Sequence, residues 1–90
     1  MIDNIMNNTY GVLTNRVSVE DILEMYKGKD AMFYGNPYEM TLEDMDEVIN
    51  YFENTEEYEK CMQVVYVKND IIAEFLTKKM IKDALYRTNK

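Results

Sequence analysis

Residues 41–60, TLEDMDEVINYFENTEEYEK, constrain the fold more than any other stretch of the chain. Thr41 stands three positions before Asp44, the spacing of a reciprocal helix N-cap. Glu43, Asp44, Asp46 and Glu47 fill the first turns, where the positive end of a helix dipole favours carboxylates. Leu42, Met45, Val48, Ile49 and Phe52 recur at helical spacing and form one apolar face, opposite Glu43, Asp46, Glu47, Asn50 and Glu53. With Asn54 as C-cap and Thr55 as the next N-cap, the chain turns back on itself, so the stretch predicts a helical hairpin.

The flanking residues extend this hairpin into an all-α expectation: a small helical bundle with a long C-terminal helix, forming a single domain over residues 1–90. With three glycines and one proline among 90 residues, turn signals are sparse and helix is favoured over sheet. The last helix is expected from near Glu56 to about Tyr86, with Tyr58, Met62, Val65, Ile72, Leu76, Met80 and Ala84 keeping close to a 3.6-residue period across Asn69 and Asp70. Asn69 and Asp70 are the one place where it could break or bend. The β-branched cluster at residues 64–67 asks for burial on several sides or for a partner.

Before the hairpin, Ser18 reads as the N-cap of a short helix carrying Val19, Ile22, Leu23 and Tyr26, ended by Gly28. Asp30 is placed to cap a further turn. GNPY at residues 35–38 is the clearest loop, and Tyr34 and Tyr38 beside it are candidate anchors for a partner. Residues 1–17 are rich in Asn, which competes with the backbone for hydrogen bonds. They are expected to form a loosely held arm, with residues 9–13 (TYGVL) as a short extended segment.

Charge and composition narrow the function. The net charge is −7, with the acidic groups concentrated before residue 68. From there on, Lys68, Lys78, Lys79, Lys82, Arg87 and Lys90 outnumber Asp70, Glu74 and Asp83. Much of this polarity suits a helix with an acidic start and a basic end. Direct nucleic-acid binding through the basic tail is disfavoured by the overall acidity. The single cysteine, Cys61, permits no internal disulfide and fits a reducing, cytoplasmic setting. No membrane-length apolar run and no signal-peptide pattern is visible, so no membrane association is expected.

The acidic residues do not assemble into a known chemistry. Asp44-Met45-Asp46-Glu47-Val48 matches the DxDx[TV] pattern of phosphotransferases, but that chemistry places its first Asp at the end of a buried parallel strand, not inside a capped helix. The spaced carboxylates and central Gly of a calcium loop are missing. With no His, one Ser and one Cys, neither a nucleophile–base pair nor a zinc site can be built. The sequence therefore points away from an enzyme, a cofactor or a metal.

Two resemblances add to this. Glu57-Tyr58-Glu59-Lys60-Cys61-Met62 resembles the E-Y-E-K-A-A opening of the second helix in the helical hairpins that nucleotide-excision repair proteins use for docking. The likeness covers about a third of the chain, and Val65 and Tyr66 stand where that family continues with Arg-Asp. As a whole, this short, acidic, Asn-, Lys- and Tyr-rich chain is similar to small early proteins of tailed phages, which inhibit or redirect host enzymes such as defence nucleases (the anti-CRISPR mode) and RNA polymerase. That resemblance implies a protein partner met in the host cytoplasm; the acidic face of the central helix adds the expectation that the partner carries a cationic groove, occupied by mimicry of nucleic acid. Glu43, Asp46, Glu47, Asn50, Glu53, Glu57, Tyr34 and Tyr38 are the expected contact residues. The alternative is a self-associating structural protein, a homodimer in which the apolar surplus of residues 64–67 and 71–72 is buried.

Overall fold

A computed structural model describes residues 2–27 and 32–88, with side chains through Leu85. The fold is all-α: α1 (Ile2–Leu13), α2 (Val19–Tyr26), α3 (Leu42–Asn54) and α4 (Tyr58–Thr88), with no strand among the described residues. The hairpin of α3 and α4 is the scaffold, and α1 packs across both of its helices. Met6, Met45, Val48, Phe52, Cys61 and Val64 form the buried core, where Tyr10 and Tyr51 meet the Phe52 ring edge-on at centroid distances of 5.5 and 5.1 Å.

The start of α3 follows directly from its sequence. The Asp44 N–H donates to Thr41 Oγ1 at 3.0 Å, and the Thr41 N–H donates to Asp44 Oδ2 at 3.2 Å, so both ends of the capping box are closed. Gly35 packs against the same carboxylate: its φ of 76° is left-handed, and a Cβ there would lie 2.7 Å from Asp44 Oδ2. Loop and helix start are thus fitted to each other. Ser18 likewise caps α2, accepting from the Asp21 N–H at 3.0 Å.

The N-terminal segment departs from expectation. Residues 9–13 are helical, not extended, and α1 contributes Met6 and Thr9 to the buried interior. The polar side chains that were expected to weaken a helix bond back onto it instead. Asn7 Nδ2 donates to the Asp3 carbonyl, Thr9 Oγ1 to that of Ile5 and Thr14 Oγ1 to that of Tyr10. Thr9 Oγ1 also accepts the Tyr34 N–H at 2.8 Å, and Asn8 donates to Tyr26 Oη and the Met32 carbonyl. Tertiary partners thereby fix side chains that would otherwise compete with the backbone. Asn15, at φ 58°, closes the helix.

Left-handed residues follow both α2 and α3. The left-handed residue after α2 is Lys27, at φ 42°; the expected stop at Gly28 and the cap at Asp30 lie outside the described residues. At the hairpin joint, Asn54 is the last helical residue, and the left-handed turn falls on Glu56 at φ 60°. The Glu57 N–H donates to the Phe52 carbonyl at 2.8 Å, and Thr55 Oγ1 bridges the Phe52 carbonyl and Glu57 Oε2. Thr55 therefore holds the joint from its middle, without capping α4.

The last helix is continuous across Asn69 and Asp70. At 31 residues against the 13 of α3, it is about 46 Å long beside a partner of about 20 Å, at a rise of about 1.5 Å per residue. Its second half therefore runs past the bundle as an arm, and the molecule measures 57 × 31 × 18 Å.

Candidate partner surfaces

The acidic face of α3 lies outward. Glu43, Glu47, Asn50 and Glu53 are exposed, and no ion pair among the described residues engages the three carboxylates. Asp46 is different: Lys68 Nζ, from α4, donates to its Oδ1, and both side chains are partly covered. One carboxylate of the expected contact surface thus serves the hairpin, tying α3 to the point where α4 leaves the bundle. Tyr34, Glu43, Asp46 and Glu47 are brought together with Asp44 around an open cleft of about 320 Å³.

The other expected contact residues are dispersed. Glu57 lies beyond the joint, where Lys60 Nζ at 2.9 Å and Thr55 Oγ1 at 2.8 Å donate to its carboxylate and hold its pKa below the ordinary value. Lys60 also donates to Asn7 Oδ1 and sits 5.2 Å from the centre of the Phe52 ring, so it joins α1 to the hairpin. Tyr34 is half-buried, its ring packed against the core. Tyr38 is exposed and its hydroxyl donates to Glu20 Oε1 at 3.1 Å; partial loss of water, this bond and the Glu20 charge raise its pKa.

The inner face of α4 lies beside the periodic apolar stripe and not on it. Among its described side chains Cys61 and Val64 are the buried ones, whereas Tyr58, Met62, Leu76 and Met80 are 58%, 52%, 50% and 71% exposed. Helical periodicity marks a continuous stripe without marking the side that is buried, because apolar residues surround this helix. Tyr66, Ile71, Phe75, Ile81 and Leu85 are exposed as well. Beside the Met62 and Tyr66 ridge, an apolar groove of about 300 Å³ is lined by Ile49, Glu53, Tyr58, Cys61 and Val65. Across the ridge, Tyr10, Arg16, Glu59, Lys60 and Gln63 line a more polar cleft of about 550 Å³. The helix length and the double apolar stripe were the sequence signals for this surface.

Cys61 contributes packing. Its Sγ donates to the Ile49 carbonyl at 3.3 Å, and burial, followed by the charges of Glu53 and Glu57, pushes the thiol pKa up. Among the described residues, no cluster of three or more His, Cys, Asp or Glu could hold a metal, and no helix is long and apolar enough to cross a membrane. The chain matches no protein-family model, no curated protein and no solved structure.

Proposed function

We propose that this chain is a non-enzymatic binding protein: the α1–α3–α4 bundle is the platform, and α4 is the docking element. The observation that carries this reading is the exposure of Phe75, Leu76, Met80, Ile81 and Leu85 on an arm that has left its own core. An isolated helix gains little from propensity alone, and its apolar side chains are stabilised by packing against another surface. A photo-crosslinking residue at Met80, compared with one at exposed Asp3, tests this in the native cell. A discrete protein adduct specific to position 80 is expected; equal, diffuse labelling from both positions overturns the reading.

The acidic face supports a second reading, in which the partner carries a cationic groove; the likeness to small phage inhibitors of host enzymes supports a protein as that partner. Glu43, Glu47 and Glu53 are exposed, without an ion pair among the described residues, on a helix capped at Thr41. Such binding would weaken steeply with salt. Changing these three residues to Gln should abolish capture by a crosslinker at Asn50. Unaltered, salt-independent capture rejects nucleic-acid mimicry.

A further inference from the structure

We propose that α4 docks on a second copy of this chain, the two helices lying antiparallel with Asn69 on the two-fold axis. The proposal rests on the binding role of α4 and names its partner. The exposed stripe is nearly palindromic in spacing about Asn69: Met62 and Leu76 stand seven residues to either side, and Tyr58 and Met80 eleven. Three or four residues out, Val65 and Tyr66 come level with Ile72 and Ala73 of the other copy. An isologous interface requires this self-complementarity, since residue i meets j and j meets i.

Charge selects the antiparallel sense. A parallel pair would set Lys79 and Lys82 against themselves; an antiparallel pair about Asn69 brings them level with Glu59 and Glu56 near the acidic start of the other helix. Glu53 borders the groove next to that start and adds to the negative end. The helix dipoles are opposed in the same arrangement. Asn69 is exposed and interrupts the apolar stripe. On the axis it meets its own copy, so the two amides can pair, and a shifted register would leave each against apolar groups.

The full chain is examined by light scattering and sedimentation across its soluble concentration range, together with Leu76→Glu and Met80→Glu. Both positions lie beyond the buried core, so the bundle does not need them to fold, and circular dichroism checks that it has. A concentration-dependent dimer is expected, weakened by roughly thirtyfold or more in each variant, the size of a hot-spot loss. In a Cys61→Ala background, Asn69→Cys should form an intermolecular disulfide on mild oxidation, whereas Lys78→Cys, about two and a half turns along and on the opposite side of the helix, should not. A monomer at every concentration, a dimer indifferent to both variants, or bonding at 78 and not 69 overturns the proposal. If the wild-type chain stays monomeric while a crosslinker at Met80 captures a different protein, the binding role stands and self-association is rejected.

Discussion

Asp44 is the residue through which two local requirements meet. It closes the capping box with Thr41, and its carboxylate occupies the space that a side chain at Gly35 would need. Thr41→Ala should cost about 1 kcal/mol of stability, the usual value of a lost N-cap. Gly35→Ala should cost about 1–2 kcal/mol, because it combines a left-handed φ with a clash. As both act through Asp44, the double variant should lose less than the sum, which urea titration of all three proteins will measure. Thr41 was legible in sequence because its partner stands three residues away. The left-handed turn at Glu56 was not, because it is imposed by the Glu57 N–H reaching back to Phe52 and by the Thr55 hydroxyl. Glu57 gives a pH test of that joint. Its folded-state pKa is depressed, so its contribution is present above the ordinary carboxylate range and is lost as pH falls through the lowered value. Glu57→Gln should flatten that part of the stability profile without changing the unfolding slope against urea.

At the scale of elements, α4 behaves as two helices with different neighbours. Its first half supplies Cys61 and Val64 to the core and receives Asp46 at Lys68, whereas the described side chains beyond Lys68 contribute nothing to the buried cluster. Phe52→Ala should therefore cost about 3–5 kcal/mol and can unfold the whole bundle. Ala73→Pro breaks a helix interior, an effect of about 3 kcal/mol, yet it acts outside the core. Hydrogen exchange should show lost protection beyond residue 69 in that variant, with protection of α3 retained; loss in both would mean that the arm and bundle fold as one unit. The hairpin was readable because α3 has a single apolar face. The orientation of α4 was not, since a helix that is apolar on several sides offers periodicity no unique inner face, and only the mismatch in length between α3 and α4 separates core from arm. In α1 the failure had a different origin: Asn8 and Thr9 find their partners in Tyr26 and the 32–34 segment, which no local rule anticipates.

Over the whole molecule the charge is polarised, with an acidic bundle and a basic arm, and the two modes of association respond to salt differently. A cationic partner seated on Glu43, Glu47 and Glu53 would be held chiefly by exposed charges, and raising salt from 0.15 to 1 M shortens the screening length from about 8 to about 3 Å. Its affinity should fall by orders of magnitude, in proportion to the charges neutralised. The antiparallel pair has an apolar seam of Met62, Leu76, Tyr58 and Met80 flanked by the charged helix ends. Salt removes the attraction of Lys79 and Lys82 for the acidic start of the other helix but leaves burial of the seam in place. Dimer affinity should therefore decline by roughly tenfold or less over the same range, mainly through slower association. Replacing Lys79 and Lys82 with Gln should reduce the low-salt affinity to the high-salt level and abolish the remaining salt dependence. If those changes leave the salt response intact, the charged ends do not meet and the antiparallel sense is wrong.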